Sequence, residues 1–75
     1  MNVPKINDDL LKTAMIKAHL DAEDLAKAIG INIVTFYRKK NGESDFTRAE
    51  IKKMQRALNL DFDVIKEIFF AERLT

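Results

Sequence analysis

Apolar residues recur along the chain at helical spacing, and no stretch carries the strict two-residue alternation of a half-buried strand. Leu10, Leu11, Ala14, Met15 and Ala18 form one stripe, which predicts a first helix over roughly residues 8–19. Asn7 is placed to cap it, and Asp8 and Asp9 stand in its first turn, where the helix dipole favours negative charge. Leu25, Ala26 and Ile29 mark a second helix. Asp21 caps that helix, Asp24 supplies the acidic half of a capping box, and Gly30 follows as the residue able to turn left-handed. A third helix starts after Asn32, with Ile31 before the cap and Phe36 beyond it forming a hydrophobic staple. Thr47 and Glu50 make a capping box for a fourth helix, whose inner face is Ile51, Met54 and Leu58. Asp61 caps a fifth, stapled by Leu60 and Ile65 and buried along Val64, Ile65, Ile68 and Phe69. Only Pro4, Gly30 and Gly42 interrupt the chain. The pattern therefore predicts an all-α fold of five short helices, one domain over residues 1–75 with no linker or repeat.

The third helix departs from an ordinary solvated surface. At about 100° per residue, placing Phe36 inward puts Val34, Arg38 and Asn41 on the opposite side, Tyr37 beside them and Ile33 at the edge. Glu, Lys or Gln would be usual there. Val, Tyr, Arg and Asn instead match what a DNA major groove presents: an apolar group for a thymine methyl, a guanidinium for guanine, and an amide or phenol for a base edge or phosphate. For Ile33, a small contact with a neighbouring helix competes with that role.

Composition narrows the chemistry. Seventy-five residues bury little more than about 60% of the surface exposed on unfolding, too little for a large enclosed active site. The chain has no cysteine and one histidine, so it offers neither a thiolate metal site nor the parts of a catalytic triad. His19, at the end of the first helix, suits the negative end of the dipole better than a ligand role. Met15 and Met54 read as core fillers. The pairs Asp8/Asp9 and Asp61/Asp63 are caps and first-turn charges without a second catalytic group beside them. These features predict a protein that is not an enzyme and uses no metal, cofactor or small ligand. No apolar run reaches the roughly 18 residues of a membrane span, and residues 1–7 lack the apolar core of a signal peptide; a cytoplasmic protein is expected.

The net charge of +1 conceals an uneven distribution. Residues 1–37 carry four Lys against five acids, residues 38–56 seven Lys and Arg against three, and residues 57–75 two against four. The middle segment, at +4, suits a polyanion held on one side, and the acidic remainder discourages indiscriminate binding.

"LAKAIGINIVTFYRKKNG" followed by "FTRAEIKKMQRALNL" resembles the lambda-repressor-like helix-turn-helix family, the Cro and phage-repressor proteins also called XRE-type, over residues 8 to 70. The resemblance implies a compact five-helix DNA-binding domain with its helix-turn-helix at helices 2 and 3, about residues 22–41. Ala26 stands where the family needs a small residue because its two central helices cross closely, and Gly30 stands at the turn. Ile31 and Phe36 match apolar positions around that turn. Asn32, Ile33, Val34, Tyr37 and Arg38 fall on positions that touch DNA in the family. The ending "DFDVIKEIFFAERLT" is similar to the last helix of small regulators from prophages and mobile elements of Gram-positive bacteria. Two departures stand out. Glu23 occupies a position where many relatives hold a phosphate with Gln, and a carboxylate repels one. Lys39 and Lys40 replace an aliphatic residue late in the third helix, so Phe46 is expected to close the core instead, with the lysine stems covering apolar surface and their ammonium groups reaching phosphates.

From these features we expect a sequence-specific regulator of transcription that binds double-stranded DNA. Ile33, Val34, Tyr37 and Arg38 would read bases, and Asn32, Lys39, Lys40, Asn41, Ser44, Thr47, Arg48 and Lys52 would meet phosphates, aided by the helix amides at Asn32 and Thr47. A homodimer on a pseudo-palindromic operator, associating on DNA, is expected through Phe70 and Leu74; a fifth-helix Phe70 folded back on its own core is the competing reading. The alternative function is a protein-binding adaptor or antirepressor, favoured by Glu23 and opposed by Arg38 and the basic segment. An antitoxin or plasmid copy-control protein would share the DNA chemistry and differ in setting.

Overall fold

The computed structural model describes residues 6–70, with Phe70 described by its backbone alone. Five helices follow one another: α1 (Asp8–Ala18), α2 (Ala22–Ile29), α3 (Ile33–Lys40), α4 (Arg48–Leu58) and α5 (Phe62–Phe70). Among the described residues there is no strand. All five expected N-caps are formed. Asn7, Asp21, Asn32, Thr47 and Asp61 each accept from the amide three residues on, which satisfies donors that the first turn of a helix cannot pair internally. Asp24 and Glu50 complete reciprocal capping boxes by accepting the amides of Asp21 and Thr47.

Three of the four connections use one device. At residues 19–21, 30–32 and 59–61 a left-handed residue is followed by an apolar one and then by the next helix cap. His19, Gly30 and Asn59 have φ of 60°, 83° and 54°. Each donates its amide to the carbonyl three residues back, and the apolar residue after it, Leu20, Ile31 or Leu60, donates to the carbonyl five back. This paired bonding satisfies the last carbonyls of α1, α2 and α4. Leu20, Ile31 and Leu60 pack against the core, so each joint fixes the exit of one helix and the entry of the next. Because the joint begins at His19, α1 ends at Ala18, one residue before the predicted boundary.

The core gathers Ile6, Leu11, Ala14, Met15, Leu25, Ala26, Ile29, Phe36, Phe46, Met54, Leu58, Ile65, Ile68 and Phe69. Helix α2 packs on α3 and α4, and α1 packs on α4 and α5. The backbone before α1 is tied to α5 by Asn7 donating to the Ile68 carbonyl at 2.7 Å. Phe46 does close the core beside the third helix: its ring meets Phe36 at 5.9 Å and Phe69 at 5.7 Å between centroids, both edge-to-face. Phe36 is completely buried. Truncating such a ring to alanine typically costs about 3–5 kcal/mol, a large part of what a small domain has, so the inward anchor of α3 is firm.

Candidate nucleic-acid interface

The outer face of α3 is built from the anchor outward. Phe36 fixes the rotation of the helix, and the 100° step then carries Val34, Tyr37, Arg38 and Asn41 to the solvent side, where all four are exposed. Val34 is 57% accessible and Tyr37 47%, too much for core residues. The Tyr37 ring leans edge-on against Phe36, 5.9 Å between centroids, which leaves its phenol at the outer end of a supported ring. Ile33 differs. It is half-buried and packs against the core, so it lies at the margin of the open face, as the angular placement implied. The apolar, phenolic, guanidinium and amide groups thus share one exposed strip.

Of the residues expected at phosphates, Asn41, Ser44, Thr47, Arg48 and Lys52 are exposed. Asn32 is exposed too, with its Oδ1 committed to the Thr35 amide at 2.8 Å, leaving its amide NH2 to face outward. At the start of α3, the amides of Ile33 and Val34 are ones that helix geometry leaves without a carbonyl partner in the preceding turn. At the start of α4 the amides of Arg48 and Ala49 stand in the same position. The Thr47 amide already donates to Glu50 Oε1 at 2.9 Å, so Thr47 can approach an anion through its hydroxyl proton and not through its backbone.

Lys39 and Lys40 are held elsewhere. Lys39 Nζ lies 2.7 Å from Glu50 Oε1, and Lys40 Nζ lies 2.7 Å from Asp8 Oδ1. In this conformation both ammonium groups are engaged by carboxylates of other helices, Lys39 by α4 and Lys40 by α1. Burial alone would raise the Glu50 carboxyl, but hydrogen bonds from Lys39 and the Thr47 amide, with the Lys39 charge, outweigh it and hold the carboxyl below its ordinary value. The amide of Asp24 likewise lowers Asp21, helped by the nearby Lys27 charge. Both carboxylates are ionised caps.

Lys53 was not among the expected site residues. It is exposed, and its Nζ stands 3.9 Å from where a Cβ on Gly30 would be, so a cation overlies the turn between α2 and α3. Nothing in the local sequence signals this, because Lys53 reaches the turn only through the packing of α4 on α2. Phe70 of the expected dimer contact is described only in its backbone, and Leu74 lies outside the described residues. Among the described residues, no group of three or more His, Cys, Asp or Glu could hold a metal ion, and no helix is long and apolar enough to cross a membrane.

A family model described as the Cro/C1-type HTH DNA-binding domain matches residues 11–68, which runs from α1 into α5 and includes every described residue of the exposed strip. No curated protein and no solved structure matches the chain.

Proposed function

The chain belongs to the Cro/C1-type HTH DNA-binding domain family, and from that premise we propose that it is a sequence-specific transcriptional regulator of the phage Cro/repressor kind. Helix α3 enters the major groove of double-stranded DNA. Arg38 offers a bidentate donor to guanine, Val34 an apolar surface to a thymine methyl, Tyr37 a phenol to a base edge, and Ile33 a contact at the margin. Asn32, Asn41, Ser44, Thr47, Arg48 and Lys52 position the domain through phosphates and carry no sequence information themselves. The observation that supports this reading most is the exposure of Val34, Tyr37 and Arg38 together on a helix whose rotation is locked by the buried Phe36.

One such helix contacts few base pairs. Selective binding is therefore assigned to a homodimer that associates on DNA, with Phe70 and Leu74 as its contact, over half-sites about 34 Å apart on one face of the duplex. Selection of bound duplexes from a random library tests this reading. The expected product is a two-fold symmetric motif with half-sites one helical turn apart, occupied by two chains. Recovery of no enriched motif, with no salt-dependent binding to any duplex, would favour the protein-binding adaptor instead.

A further inference from the structure

Two carboxylates, those of Glu50 and Asp8, pair with the lysines at the end of α3. Lys39 and Lys40 occupy the last turn of α3, beside the strip formed by Val34, Tyr37 and Arg38. On an exposed surface, lysines there would snorkel outward and add sequence-blind attraction to any duplex. Here each meets a carboxylate. The Lys39 and Glu50 side chains are only 13% and 14% accessible, and those of Lys40 and Asp8 are 16% and 42% accessible. Glu50 is not free to follow Lys39 outward, since the same Oε1 accepts the Thr47 amide at 2.9 Å. Lys39 also lies 6.0 Å over the Phe46 ring. The Lys39–Glu50 pair, shielded from water and anchored by a cap, resists exchange with phosphate far better than a mobile surface pair does, whereas the Lys40–Asp8 pair is shielded on the lysine side alone.

We propose that Asp8 and Glu50 are specificity-determining residues that withhold Lys39 and Lys40 from the DNA backbone, so that α3 contributes base contacts with little sequence-blind attraction. This rests on the reading of α3 as the helix that meets DNA. Sequence-independent affinity grows with each phosphate neutralised, whereas discrimination depends on base contacts. Withholding two cations lowers binding to random duplex more than it lowers discrimination, and the ratio between operator and random DNA rises. The basic segment thereby acts with fewer free cations than its composition suggests.

The experiment measures binding to a random duplex as a function of salt for the full chain and its variants. Glu50→Gln can keep the capping box, because glutamine serves at that position as glutamate does, and Asp8→Asn changes a first-turn residue. In the double variant, each released lysine adds about 0.9 to the magnitude of the slope of log K against log salt, and tightens binding at 50 mM salt on the order of tenfold. Removing two negative charges could itself raise affinity, so Asp63→Asn with Glu67→Gln serves as the charge-matched control and leaves the slope unchanged. Lys39→Met and Lys40→Met, which keep the apolar stems, are made in both backgrounds. They leave the slope of the wild-type chain unchanged and abolish the gain in the double variant. Far-ultraviolet circular dichroism establishes that each variant is folded. The proposal is overturned if the folded double variant keeps the wild-type slope, or if the Met variants already reduce the slope of the wild-type chain. If no chain binds any duplex at 50 mM salt, the reading of α3 falls as well, which separates the two failures.

Discussion

Positive φ is met by a different residue at each of the three short joints: His19 at 60°, Gly30 at 83° and Asn59 at 54°. A β-branched residue there carries a backbone penalty on the order of 1–2 kcal/mol, whereas asparagine is among the residues that visit this region most readily. A Cβ on Gly30 would meet nothing closer than Lys53 Nζ at 3.9 Å, an ordinary contact, so the penalty of substitution lies in the backbone and not in a clash. Gly30→Val should lower the melting temperature by about 4–8 °C for each kcal/mol lost, and Gly30→Asn should lower it distinctly less. Equal losses for the two would place the constraint in packing instead. The caps were legible because Asn, Asp and Thr announce a side-chain acceptor ahead of an apolar run. The left-handed joints at His19 and Asn59 were not, because glycine is the residue that signals such a turn and the other two residues have alternatives at a helix end. What they share with Gly30 is the apolar residue and cap that follow, "HLD", "GIN" and "NLD".

At the scale of elements, α3 was legible on its outer side and illegible on its attachments. Its outward strip follows from one anchor and one angular period, both contained within eight residues. Its ties to α4 through Glu50 and to α1 through Asp8 join residues that only the packed fold brings together. The same carboxylate gives a pH dependence whose sign is fixed. The folded-state Glu50 carboxyl is held below its ordinary value of 4.5, so its contribution to stability is complete above that value and is lost as pH falls through the lower, folded-state value. Asp21, lowered from 3.8, acts in the same direction with a smaller effect because it is exposed. Thermal melts should therefore change little between pH 7 and about 5 and fall as the pH drops below about 4. The gap between the wild type and Glu50→Gln should narrow over that acid range. A gap that stays constant from pH 7 to pH 3 would contradict the role given to the Lys39–Glu50–Thr47 network.

For the whole molecule, the partition of charge carries the functional reading. The +4 segment spans the end of α3, the following loop and most of α4, and the family match places this arrangement among Cro/C1-type DNA-binding domains. Fold class and the orientation of α3 could be read from the sequence because local caps and periodicity agree with the packed result. The base sequence that the proposed reading residues would select could not, since side chains alone fix a chemical vocabulary and not a sequence of bases. The proposed function turns on Arg38 reading a base. Its most direct test is to measure the affinity of the wild type and Arg38→Ala for a selected operator and for a random duplex at one salt concentration. The predicted loss is about 1–3 kcal/mol on the operator and much less on random DNA. Equal losses on both would make Arg38 a phosphate contact and contradict the assignment of α3 as the reading helix through this residue.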